Sequence, residues 1–197
     1  MPKAAMRRKR SSAALGGSAR SAEVRALIAA LGGDDGTLRR GAREALVAIG
    51  TPAVRSLIEA LRDANEHLRW EAAKALGEIR DKTAAPALVV ALEDKSSGIR
   101  WLAAEGLIAL GRHTLPPLLF ALVKRPSSIW LREGALHVLH LLAHQGLGDE
   151  TRPVVAALEG PAPTVAVPLA VGDAIEKLRR PRRRRGSPKV AGKQARW

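Results

Sequence analysis

The sequence predicts an all-α solenoid of about four helical pairs, and three observations carry that reading. The stretch LRWEAAKALGEIRDKTAAPALVVALED, from Leu68 to Asp94, returns as IRWLAAEGLIALGRHTLPPLLFALVK from Ile99 to Lys124, an offset of 31 residues. Looser copies flank these two: LRRGAREALVAIGTPAVRSLIEAL from Leu38 to Leu61, and LREGALHVLHLLAH from Leu131. Each unit reads as two short helices with apolar stripes, and a period of about 30 residues is the mark of stacked helical repeats. The composition agrees. Hydrophobic residues make up 46% of the chain, yet there is one Phe and no Tyr, so the core must be built from Leu, Ile, Val and Ala.

The elements follow in order. A leading half-unit opens at Ser21, a helix cap, runs through EVRALIAAL and stops at GGDDG. The first full unit places helices at about Thr37 to Ile49 and after Thr51, which is read as a cap with Pro52 at the first helical position. The second unit places them at about Ala64 to Arg80 and Ala84 to Glu93, the third at about Ser97 to Gly111 and Thr114 to Val123. The fourth runs from Ser128 to about His144, turns at QGLGDE and resumes from Thr151 to Glu159. Beyond it, GPAPTVAVPLAVGDAIEKL carries three prolines and predicts a shortened helix capping the stack.

Charge divides the chain into three. The net charge is +14, from 33 Lys and Arg against 19 Asp and Glu. Residues 1–20 hold six basic residues and no acids; residues 179–197 hold nine and no acids. The remaining 18 basic residues meet all 19 acids in between, so the repeat array is nearly neutral. The boundaries expected are therefore a disordered basic tail at 1–20, a repeat domain at 21–178 and a second disordered basic tail at 179–197. Arg7, Arg8, Lys9 and Arg10, with Arg182, Arg183, Arg184 and Arg185, are dense positive charge suited to non-specific contact with polyanions, nucleic acid above all. A solubilising role accounts for them equally well. The Arg- and Ser-rich leader also fits a transit peptide, and RRKR a nuclear address. No stretch reads as a membrane span. The absence of Cys excludes disulfides and thiolate chemistry and fits a reducing compartment, the cytoplasm.

Repeated positions separate scaffold from surface. With Leu68 at zero and about 100° per residue, Ala72, Ala75, Leu76 and Ile79 fall within roughly 80°, the core side. Their counterparts are Leu38, Ala42, Ala45, Leu46 and Ile49, then Ile99, Ala103, Gly106, Leu107 and Leu110, then Leu131, Ala135, Val138, Leu139 and Leu142. An arginine follows the first core residue in every unit: Arg39, Arg69, Arg100 and Arg132. Such a ladder fits a phosphate track, or a set of ties in which each guanidinium holds turn carbonyls or turn acids such as Asp63 and Asp94. The second is favoured, because the array is neutral and the position repeats as faithfully as the apolar ones. Opposite the core the residues vary: Arg40, Trp70, Trp101 and Glu133 in one line, Glu44, Lys74, Glu105 and His137 in the next, with Trp130 alongside. Outward tryptophans signal either packing on a neighbouring helix or a binding surface.

These residues resemble a known family. The second and third units, LRWEAAKALG and IRWLAAEGLIALG, are similar to HEAT-like repeats of the phycobilisome-lyase type, over about Ser21 to Leu178. The resemblance implies a right-handed α-solenoid, an α-α superhelix, capped by half-repeats. It also implies that the Arg-bearing helices line the concave face, which places Trp70, Glu71, Lys74, Trp101, Glu105, Trp130, Glu133 and His137 in a candidate groove. With Arg40 added for charge selection, these are the residues expected to bind a protein or peptide partner. Arg43 and Leu136 stand where the pattern has its second Ala, so the two ends are less regular.

The function expected is that of a non-enzymatic adaptor. Enzymes resembling this scaffold give the alternatives. Deoxyhypusine hydroxylases carry His-Glu pairs for a di-iron centre, and no His-Glu dipeptide occurs here. Bilin lyases share the repeat type without a motif traceable in this chain. Alkylpurine DNA glycosylases use Trp and acidic residues, loosely like Trp70, Trp101 and Glu105, but a neutral array suits a DNA duplex poorly. His137, His140 and His144 spread about 10.5 Å along one helix and do not converge on a metal. No cofactor, no metal and no catalytic residue is therefore expected.

Overall fold

The computed structural model describes residues 19–179, whose regular elements are all helical, with no strand among them. Helix α1 covers 19–31. It is followed by α2 (Gly36–Ile49), α3 (Thr51–Ala60), α4 (Glu66–Ile79), α5 (Ala85–Ala91), α6 (Ser97–Leu110) and α7 (Leu115–Lys124). The last three are α8 (Ile129–Leu142), α9 (Gly148–Glu159) and α10 (Pro163–Arg179). Helices α2, α4, α6 and α8 pack side by side in one row, while α3, α5 and α7 pack behind them. One continuous core of Leu, Ile, Val and Ala runs between the rows. This is a helical solenoid.

Turn chemistry starts the row helices. Asp35 accepts the backbone N–H groups of Thr37 and Leu38 at 2.7 and 3.2 Å, and Asn65 accepts those of His67 and Leu68 at 2.9 and 3.4 Å. Each bond satisfies a donor that the first helical turn leaves without a partner. Thr51 makes no cap; it is already helical, and Gly50, at φ 72°, is both the end of α2 and the cap of α3. Gly111 ends α6 at φ 57°. The equivalent end of α4 is Arg80, also at φ 57°, where a side chain opposes the left-handed backbone. Rows close up where side chains vanish: a Cβ on Gly77 would lie 3.2 Å from the Gly106 Cα, so α4 and α6 meet almost backbone to backbone.

Several expectations are corrected. Leu38, assigned to the core, is 66% exposed. Its counterparts are fully buried, Ile99 on α6 between α4 and α8 and Leu131 on α8 between α6 and α9, whereas α2 begins the row with α4 beside it. The terminal helix is not shortened, because α10 extends over 17 residues with Pro168 inside it. Val167, Val171 and Ala174 bury one face against α9 and α7, which offsets the backbone bond that Pro168 cannot donate. The 28 residues from Ser97 to Lys124 do reach the length and hydropathy of a membrane span. They turn at Gly111 into two packed helices, and half of the apolar stretch is buried in the core.

Candidate functional site

The arginine following each first core residue reaches backward along the chain. Arg39 Nη1 donates to the carbonyls of Gly33 and Asp34, both at 2.8 Å. Arg69 Nη1 donates to Asp63 and Ala64 at 3.0 and 2.9 Å, and Arg100 Nη1 to Asp94 and Lys95 at 2.8 and 3.3 Å. Each guanidinium thus clamps the turn that precedes its own helix. Arg69 does more: Nε and Nη2 grip the Asp94 carboxylate at 2.8 and 3.2 Å, tying one unit to the next. Burial pushes the Asp94 carboxyl up, but the Arg69 bonds and the Ser96 N–H outweigh it and hold the group below its usual range. Arg132 makes no such bond among the described residues. The turn before it holds Pro126, and there Arg125 and the Ser128 hydroxyl engage Glu93 instead.

In the register that sets Leu131 opposite Ile99, the place of Asp94 is taken in the next unit by Pro126, which offers Arg100 no carboxylate. Arg100 instead lays its guanidinium 4.8 Å from the centre of the Trp130 ring. Trp130 in turn decides the posture of its neighbour. On α4, Trp70 packs over Gly98 of the next helix, where a Cβ would lie 3.6 Å from the indole nitrogen. Trp70 is thereby half-buried against the core, with Lys74 Nζ 5.1 Å from its ring centre. One unit later the position of Gly98 is taken by Trp130, so Trp101 cannot lie down in the same way. Trp101 is 60% exposed and Trp130 46%.

Between α6 and α8 these side chains line a shallow cleft of about 180 Å³ with Arg100, Glu133, Gly134 and His137. Gly134 presses on Leu92, which floors it: an added Cβ would sit 2.9 Å from Leu92 Cδ2. Glu105 joins from the side, its carboxylate 3.7 Å from His137 Nε2. The next histidine on α8 diverges, with His140 Nε2 3.5 Å from Glu159 on α9. Two larger depressions, of about 410 and 550 Å³, lie elsewhere and contain no aromatic side chain. The cleft is therefore the place where aromatic surface, carboxylates and an imidazole coincide.

The sequence-derived set is only partly gathered there. Trp101, Trp130, Glu133, His137 and Glu105 come together; Trp70 and Lys74 form a separate pair on α4, and Arg40 is exposed on α2. Glu71 does not face a partner. It is 5% exposed, and its Oε2 accepts a 2.9 Å bond from Arg43 Nη1, itself 8% exposed. Arg39 Nε lies 3.8 Å from the same carboxylate and Glu78 lies 3.5 Å from Arg43 Nε. This buried pair went unread in the sequence although it leaves a signal. Arg43 replaces an Ala of the later units and Glu71 aligns with Leu102, so two polar departures fall on neighbouring helices. Arg7, Arg8, Lys9 and Arg10 and Arg182 to Arg185 lie outside the described residues.

A family model for HEAT repeats matches residues 54–140, from within α3 into α8. A HEAT-repeat region is thus present, and it contains every residue of the cleft. No curated protein matches the sequence.

Proposed function

We propose that this helical solenoid with its HEAT-repeat region is a non-enzymatic adaptor that binds a protein or peptide on its concave face. In the finer reading the array is right-handed, with about four HEAT-like pairs of the phycobilisome-lyase type closed by partial units. It occupies 21–178 in a cytoplasmic protein, between basic tails at 1–20 and 179–197. One observation carries the functional reading: Trp101, 60% exposed, and Trp130, 46% exposed, flank Glu133 and His137 in a single cleft, with Glu105 beside His137. Burying a tryptophan side chain releases more apolar surface than any other residue, and its rigid ring costs little entropy to immobilise. Carboxylates at the rim add selection by charge.

The test is affinity capture with the full chain against its Trp101→Ala/Trp130→Ala variant, followed by direct titration of the recovered partner. Loss of binding with an unchanged melting temperature supports the reading. Retention of binding by the double variant overturns it.

A further inference from the structure

The C-terminal segment leaves the solenoid at the end of the same helix that carries the cleft. Arg112, just beyond α6, donates Nη2 to the Leu178 carbonyl at 2.8 Å and Nη1 to Glu150 at 3.2 Å. Within α6, Glu105 lies within roughly 40° of Trp101. From Trp101 to Leu110, the last residue of α6, the helix rises about 14 Å at 1.5 Å per residue, and Arg112 stands two residues further on, past the turn at Gly111. An extended chain covers about 3.5 Å per residue. Arg182 to Arg185, four to seven residues past Leu178, thus reach about 14 to 24 Å from the anchor, the distance at which the cleft lies.

The chemistry is complementary. Arg100 already shows that a guanidinium rests on an indole here, at 4.8 Å from the Trp130 ring centre. Its charge is spent on that ring and on the carbonyls of Asp94 and Lys95, whereas Trp101, Glu105 and Glu133 remain exposed. A second guanidinium would find a ring face to stack on and carboxylates to grip in a bidentate fashion. Tethering to the same chain raises the local concentration to the millimolar range, enough to populate contacts that are weak singly.

We propose that the arginine run Arg182–Arg185 docks into the Trp101–Trp130 cleft of its own chain and is an internal ligand that a partner must displace. The inference rests on the reading of the cleft as a binding surface, and it makes that surface selective for basic, arginine-containing peptides.

The experiment uses the full chain. Because the sequence has no cysteine, Ser187→Cys takes a single nitroxide label, and the four tryptophan indole N–H signals report proximity to it by line broadening. Trp197, ten residues from the label, serves as the positive control. Broadening of the Trp101 and Trp130 signals, stronger than that of Trp70, is expected at low salt. It should be lost when Arg182, Arg183, Arg184 and Arg185 are all replaced by Glu, and on raising the salt. Three results overturn the proposal: no broadening at Trp101 and Trp130, broadening that survives the charge reversal, or broadening seen only between labelled and isotope-enriched molecules in a mixture, which would mean a second copy. No external partner is involved, so a negative result removes the internal ligand and leaves the adaptor reading to its own capture test.

Discussion

Arg43 on α2 donates Nη1 to Glu71 Oε2 on α4 at 2.9 Å, and both side chains are almost entirely buried. The pair occupies two positions that carry Ala104 and Leu102 in the third unit, so it is a local substitution of charge for packing at the start of the row. Removing Glu71 takes the 2.9 Å partner from the buried Arg43 Nη1 and leaves it only the more exposed Glu78, 3.5 Å from Nε. Glu71→Ala should cost roughly 3–5 kcal/mol, whereas the double change Arg43→Ala/Glu71→Leu, which restores the residues of the third unit, should come within about 1 kcal/mol of the parent. Urea unfolding midpoints of the three proteins test this.

The tryptophans should separate by posture. Trp70 rests on Gly98 and the core, so Trp70→Ala is expected to cost about 2 kcal/mol. Trp101→Ala should change stability by no more than about 0.5 kcal/mol, because the ring is largely solvated. Thermal melts decide it. Equal losses at both positions would mean that Trp101 also holds the stack together.

Acid should loosen the link between the second and third units. The Asp94 carboxyl has a folded pKa below its usual 3.8, so its contribution is complete above that value and is lost as pH falls through the folded pKa. Arg69 stays charged throughout; the Asp94 bond raises it further. Asp94→Asn should lower the melting temperature at pH 7 and flatten its decline in the acid range. A parallel decline in both proteins would exclude the Arg69–Asp94 link as the source.

Arg80 holds a left-handed backbone where Gly50 and Gly111 stand in the neighbouring units. Arg80→Gly relieves that strain at some cost in unfolded-chain entropy, for a net gain of roughly 0.5–1 kcal/mol. A rise in the unfolding midpoint with unchanged slope is the expected measurement.

The repeat, its period, the helical pairs and the near neutrality of the array were all legible in the sequence, because each follows from local spacing. The first core column shows where that legibility ends. Leu38, Leu68, Ile99 and Leu131 obey one pattern, yet burial increases from exposed through partial at Leu68 to complete, because burial depends on the helices packed around each position and not on spacing along its own helix. The terminal helix shows the same limit: three prolines predict interruption, but packing of α10 on α9 and α7 carries the helix through Pro168.

The outward column is the clearest division between the two kinds of information. Sequence periodicity alone placed Trp70 and Trp101 at equivalent positions, and equivalence is all that periodicity can establish. Their difference comes from the next helix: Gly98 leaves room for Trp70 to settle, and Trp130 takes that room from Trp101. Likewise the family resemblance placed Glu71 in the candidate groove, and the approach of Arg43 from α2 made it part of the interior. Spacing along one helix determines which way a side chain points, whereas the helix packed beside it determines whether that direction leads to water, to a partner or into the core.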